Sequence, residues 1–394
     1  MPLASRQAHP TARSRHCRQG DLRRPVRGSF SSYPASNKRV PSKMPHVEVI
    51  SHFESLAWIF ALRVRWPQGP PSLSQQYQKI KTTMDRSNLR RYLIGWFLTL
   101  LLAGVDWIWL SATEYDVEDG LAMSTIQSAI GLLLVSTCLY GVSRINRYAP
   151  LTEKIRLGEI ANVTCWVVLL ACFIVACNTL QYLCTTVGAP LVDETLLAFD
   201  RALGFEWLTF YRWVHSYETL RQILAAAYLS FYIQLLTIPI ILGLTRHHAE
   251  LSEFVLLIML AEALLLIIST AVPASSTFVY FGITAPNTSE TVSHFHLLRN
   301  GSLQIINPVQ GLVSLPSFHT MVAIICTYAL RRLPTVFPLA VMLNVVMIAS
   351  TPTQGGHYLA DVLAGIACGV AVILVFRKMS DRAMPIRAMV RRRI

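Results

Sequence analysis

Charge is what this sequence has least of: Asp, Glu, Lys and Arg make up 14% of its 394 residues, against 53% hydrophobic. A soluble domain of this length does not carry so much apolar surface behind so few charges, so the balance points to a lipid bilayer. Acids are the scarcer sign, 22 against 35 basic residues, for a net charge of +13. In a soluble chain that excess would suggest a nucleic-acid partner. Here Lys and Arg stand at the ends of apolar runs, and orientation in a membrane accounts for them instead. Metal-binding patterns are missing as well. The eight cysteines include Cys138, Cys165, Cys172, Cys177, Cys184, Cys326 and Cys368, in or beside apolar stretches, without C-x-x-C spacing or a Cys/His cluster. Neither a zinc site nor a cofactor is expected from them. There is no repeat of fixed period, and low complexity is confined to the N-terminal arm.

That arm, residues 1–83, is basic, rich in Arg, Ser and Pro, and without a long apolar run. It reads as a disordered arm, a targeting-like segment, or an upstream extension of a chain whose start is Met84; the last is favoured. Met84 precedes Arg86, Arg90 and Arg91, which would anchor a first span on the cytoplasmic side. From Tyr92 onward come apolar runs near the roughly 20 residues that cross about 30 Å of hydrocarbon. Eight spans are expected, at about 92–111, 121–142, 160–183, 223–245, 254–272, 315–330, 336–352 and 357–376, of which the sixth and seventh are short. The fold class is therefore an all-α polytopic membrane bundle. It divides into two N-terminal spans (84–159), a six-helix core (160–378) and a basic cytoplasmic tail (379–394).

Loop charge supports this division. Arg144, Arg147, Lys154 and Arg156 follow the second span, Arg246 the fourth, and Arg331 and Arg332 the sixth, all on one side. The first opposite loop holds Glu114, Asp116, Glu118 and Asp119. An even number of spans with both termini in the cytoplasm follows. Two long outer loops, 184–222 and 273–314, face away from it. The first reads as partly helical, with Phe199, Trp207, Phe210 and Trp213 as interfacial aromatics. Asp193, Glu194 and Asp200 in that loop read as local caps or pairs, and Asp106 as an acid near the outer interface.

Histidine carries the chemistry, because it serves as nucleophile, acid or base near neutral pH and is expensive within a membrane. His319 lies in Leu315-Pro316-Ser317-Phe318-His319 at the start of the sixth span; His357 lies in Gly355-Gly356-His357-Tyr358-Leu359-Ala360-Asp361 at the start of the eighth. The topology puts both at the outer face. Four residues of spacing set His357 and Asp361 on one helical face, where a carboxylate on one ring nitrogen leaves the other free to attack. Pro316 reads as a first-turn proline, with the N–H of Ser317 left free for an anion. Gly356, with Gly355, would let the backbone approach an oxyanion.

Pro316-Ser317-Phe318-His319, followed by Ser350-x6-His357-x3-Asp361, resembles the second and third motifs of the type 2 phosphatidic acid phosphatase superfamily, P-S-G-H and S-R-x5-H-x3-D. The resemblance covers roughly residues 160–376, and Phe318 in place of glycine is closest to a branch related to inositol phosphorylceramide synthases. It implies that His357 attacks phosphorus to give a phosphohistidine, Asp361 orients it, and His319 protonates the leaving alkoxide. Ser317, Ser350, Thr351 and Gly356 would line the phosphate. The enzyme would be a membrane lipid phosphatase, or a phosphotransferase to a lipid alcohol, acting on a lipid phosphate among membrane lipids. A bacterial inner membrane with a periplasmic site fits that reading. Two departures stand out: Thr351 replaces the motif's arginine, and no K-x6-R-P motif precedes the sixth span. Arg299, the only Arg or Lys between Pro273 and His319, is the candidate substitute. A transporter or scaffold retaining the histidines is the reading from another class. It would show repeated halves with interrupted helices at mid-membrane, whereas these polar residues gather at one face.

Overall fold

A computed structural model describes residues 86–118, 120–283, 289–308 and 311–391; the readings placed on residues 1–85 lie outside them. Backbone N–H and C=O groups in hydrocarbon must be satisfied within the segment that carries them, and the apolar runs are accordingly helices. Those that follow one another along the chain are α1 (Arg86–Ala112), α2 (Leu121–Ser143), α3 (Ala149–Lys154), α4 (Leu157–Thr186), α5 (Asp193–Ala202), α6 (Trp207–His215), α7 (Glu218–Leu244), α8 (His248–Ala271), α9 (Thr277–Tyr280), α10 (Ser289–Arg299), α11 (Phe318–Ala329), α12 (Phe337–Gln354) and α13 (Leu359–Arg391). A two-residue parallel pairing, β1 (Asp116–Val117) with β2 (Ile305–Ile306), is the sheet among the described residues. The molecule is an all-α polytopic bundle. Seven of the helices are long and apolar enough to cross a membrane: α1, α2, α4, α7, α8, α12 and α13.

The expected sixth span differs. Its helix, α11, has 12 residues, about 18 Å at 1.5 Å per residue, and cannot cross the hydrocarbon alone. The reason lies at its N-terminus. Pro316 precedes the cap residue Ser317, so the helix starts two residues after the proline.

Burial separates inside from outside. α8 is the central helix, with Leu251, Phe254, Val255, Leu257, Ile258 and Ala261 inaccessible. It packs against α4, α7, α11 and α13, and Trp166, Phe173, Met321 and Ile325 complete the same core. α2 lies outermost, touching the bundle mainly through α4, with Ile126, Ile130 and Leu134 exposed. Exposed Phe97, Leu100, Tyr232, Ile233, Leu339 and Met342 form a surface suited to lipid and not to water.

One end of the bundle is tied by ion pairs: Arg246 to Glu159 at 2.9 Å, Arg331 to Glu253 at 2.8 Å and Arg332 to Glu250 at 2.5 Å. The arginines that mark the loops after the fourth and sixth apolar runs thus share one end. The short helices α5, α6 and α9 assemble at the other. There α13 closes on the start of α11, because Gly365 carries no side chain: a Cβ would stand 2.6 Å from the Ser317 carbonyl oxygen and 2.9 Å from Thr320 Cβ. Gly365→Ala should therefore lower the unfolding temperature in detergent, with a cost of about 1–3 kcal/mol from overpacking. Gly131→Ala on α2, where nothing lies within 4 Å of the new Cβ, should leave it unchanged. Equal unfolding temperatures for the two variants would contradict the tight α11–α13 contact.

Candidate active site

The histidines selected from the sequence come together at the end opposite the arginine clasps. His357 lies just before α13, two residues short of the helix and not within it, and is 5% exposed. Asp361, in the first turn of α13, is fully buried. His357 Nδ1 lies 3.4 Å from Asp361 Oδ2. The same oxygen accepts the N–H of Tyr358 at 3.0 Å and the hydroxyl of Ser314, which also lies 3.4 Å from His357 Nδ1. A carboxylate only accepts, so the proton between the pair belongs on Nδ1 and the lone pair on Nε2. Asp361 Oδ1, by contrast, has no partner among the described residues.

His319 is held by rings. It stacks on Tyr228 of α7 with centroids 4.0 Å apart and planes at 13°, and is tilted against Phe231 at 4.3 Å. Its Nε2 is buried and has no partner among the described residues. Tyr228 also reaches the other histidine: its hydroxyl and His357 Cδ2 each lie 2.8 Å from the point where a Cβ on Gly355 would stand. Gly356 has φ of 64°, a left-handed conformation that glycine adopts without cost. A Cβ there would meet the Phe278 ring at 2.5 Å, and the Gly356 carbonyl accepts the N–H of Thr277 at 2.8 Å.

Several residues selected from the sequence are occupied otherwise. The Ser317 N–H was expected to be free for an anion; it donates to the Asp361 carbonyl at 3.0 Å, because the bare backbone at Gly365 lets the two segments meet. The Ser317 hydroxyl accepts from Thr320 at 3.1 Å. Thr351, in the place of the motif's arginine, donates its hydroxyl to the Ile348 carbonyl at 2.8 Å. That carbonyl has lost its normal partner, because the residue four positions on is Pro352, which has no N–H. Ser350 likewise donates to its own helix, at the Met347 carbonyl, 2.6 Å away. Arg299 donates to the Ala189 carbonyl at 2.9 Å and lies over the Phe295 ring at 5.7 Å. Among the described residues no hydrogen bond or ion pair joins it to His319, His357 or Asp361. Asp106 is buried against the protein, and its Oδ1 has no partner among the described residues.

The structure adds residues that motif spacing does not reveal. Asp200 accepts the N–H groups of Leu359 at 2.8 Å and Ala360 at 2.9 Å, satisfying the open start of α13 from another helix. Asp193 accepts the Tyr358 hydroxyl at 2.7 Å and the Ser275 hydroxyl at 2.7 Å. Trp207 donates from its ring nitrogen to the Pro352 carbonyl at 2.9 Å. These contacts fasten both sides of the Gly355–Asp361 turn to α5, α6 and the chain before α9. Burial raises the Tyr358 phenol above its ordinary range, and Asp193 beside it acts in the same direction, so it remains a donor.

Burial also raises Asp200, from an ordinary 3.8 to about 6, against the two N–H groups that favour its charge; nearby Asp361 adds to the rise. The folded chain then holds this proton more tightly than the unfolded one. Its contribution to stability is complete below about pH 3.8 and declines as pH climbs through about 6. Asp200→Asn cannot ionise, so its unfolding temperature should fall less than that of the wild type between pH 4 and 7. Parallel curves in a thermal scan across that range would contradict the assignment.

Searches of curated proteins and of solved structures returned no match for this chain. Residues 194–375, which hold His319, His357, Asp361, Ser314, Tyr228 and Asp200, match the family model of the PAP2 superfamily.

Proposed function

We propose that this protein is a membrane enzyme that cleaves or transfers a lipid-linked phosphoester by way of a phosphohistidine on His357. The observation that carries the reading is the contact of His357 Nδ1 with Asp361 Oδ2, at 3.4 Å. It leaves Nε2 with its lone pair, and it lies in a region matched to a superfamily whose members are generally phosphoesterases.

In the first step Nε2 of His357 attacks phosphorus and the phosphorus–oxygen bond to the leaving group breaks. His319, as the imidazolium, gives its proton to the departing alkoxide, so the product is an alcohol. Asp361 holds the His357 ring and balances the positive charge that develops on it. In the second step water or an alcohol gives its proton to His319 and attacks the phosphohistidine, regenerating both histidines. Water gives hydrolysis of the phosphoester, the phosphatase-type outcome we favour, whether the substrate is a mono- or a diester; an alcohol acceptor gives a phosphotransferase. A lipid substrate suits a site at one end of an apolar bundle. The basic clasps at the opposite end suit a cytoplasmic face there, with the site facing the periplasm of a bacterial inner membrane.

Purified protein in detergent should release alcohol or phosphate from a panel of lipid phosphoesters. His357→Ala and His319→Ala should each lower turnover by at least about 10³-fold, and Asp361→Asn by about 10²-fold or more. Stopping the wild-type reaction with base should trap an acid-labile phosphate on the protein that His357→Ala does not form. Turnover that survives His357→Ala would sink the proposal.

A further inference from the structure

The chemistry above needs something to hold the phosphoryl oxygens, and the charges around His357 have the wrong sign for the usual solution. Three carboxylates flank the turn that carries it: Asp361 on its ring, Asp193 on the Tyr358 hydroxyl and Asp200 on the N–H groups of Leu359 and Ala360. None of the three is paired with Lys or Arg among the described residues. Between Pro273 and His319 the chain has one such residue, Arg299, and that guanidinium is engaged by the Ala189 carbonyl.

Neutral donors occupy the same space. The Tyr228 hydroxyl and His357 Cδ2 each lie 2.8 Å from where a Cβ on Gly355 would stand, so they flank one point of the turn, and Cδ2 is bonded to Nε2, the nitrogen that attacks. The ring of Tyr228 is fixed by its stack on His319, so one side chain borders both histidines. Thr277 is fully buried, sits against Gly356 through its N–H, and has a hydroxyl without a partner among the described residues. A buried hydroxyl normally finds a partner. A hydroxyl without a protein partner beside the turn that presents His357 is available to donate to a ligand oxygen.

Building on the phosphohistidine reading, we propose that Tyr228 and Thr277 bind the phosphoryl oxygens by neutral hydroxyl donation in place of cations. The site is consequently selective for a monoanionic phosphodiester over a dianionic phosphomonoester. A second negative charge on the phosphoryl group would face three carboxylates at low local dielectric with no cation to offset it. A diester presents one negative charge, which donation from the two hydroxyls can match. The step still balances: Nε2 of His357 bonds to phosphorus, one ester bond breaks, its oxygen leaves as an alcohol with the proton of His319, and the second ester stays on the phosphohistidine.

The test uses full-length protein in mixed micelles with diacylglycerol phosphate and diacylglycerol phosphodiesters bearing methyl, glycerol or inositol, following released alcohols by mass spectrometry. The proposal expects at least one diester to exceed the monoester in kcat/KM by ten-fold or more. It also expects Tyr228→Phe, which keeps the stack on His319, to lower kcat on that diester by about 10²-fold with KM within two-fold, the signature of a lost oxyanion donor. Thr277→Val should act in the same direction, and a thermal scan checks that both variants remain folded. A monoester preferred by ten-fold, or Tyr228→Phe as fast as wild type, overturns this inference and leaves the role of His357 standing. Turnover of neither class by wild-type protein overturns both.

Discussion

Asp361 ties the Ser314–Ser317 segment to the His357–Asp361 turn. Its side chain takes the ring of His357, the N–H of Tyr358 and the hydroxyl of Ser314 on one oxygen, while its backbone carbonyl takes the N–H of Ser317. A carboxylate in an apolar environment is costly unless hydrogen-bonded, so the local structure is arranged to satisfy it. His357, the cap of α11 and the residue three positions before that cap are located by that requirement. Gly365 permits it by letting the backbones approach, and Asp200 supports it by closing the open end of the helix on which Asp361 stands.

The surrounding contacts form an outer ring of the same kind. Asp193, Asp200 and Trp207 come from two short helices at the mouth of the bundle, and each bonds to the Pro352–Ala360 stretch or its flank. None of these residues needs to touch a substrate. Their effect is to prevent the turn bearing Gly355 and Gly356 from wandering, and such support is what keeps a nucleophile within a fraction of an ångström of its productive place.

Much of this could be read from the chain before its structure was known, and the part that could not has a physical reason. Long apolar runs with basic ends announce helices that cross a bilayer, because hydrocarbon allows a single helix few alternatives. The pair His357 and Asp361 was legible because four residues of spacing make a local contact. Tyr228, Ser314, Asp193 and Asp200 were not, because their partners are distant along the chain; Asp193 and Tyr358 are 165 positions apart. Thr351 was misleading for the opposite reason. Its place in a motif suggested a ligand contact, whereas the neighbouring Pro352 gives its hydroxyl a purely helical task. The first-turn reading of Pro316 failed because a proline before a cap and one after it look alike in sequence.

The shortness of α11 bears on how deep in the bundle the candidate site lies. Its far end is pinned to α8 by the pair of Arg331 with Glu253, and its 12 residues rise about 18 Å from there. The neighbouring α8 continues from Glu253 to Ala271, about 27 Å at the same rise per residue. The floor of the site therefore lies roughly 9 Å below the rim that α8 defines. In the reaction proposed above, a phosphate bound at His319 would sit that far below the rim, towards the acyl chains. On that proposal, charge is costly at the entrance, and a lipid that stays in the leaflet while its headgroup dips inward would meet that cost more easily than an ion arriving from solution.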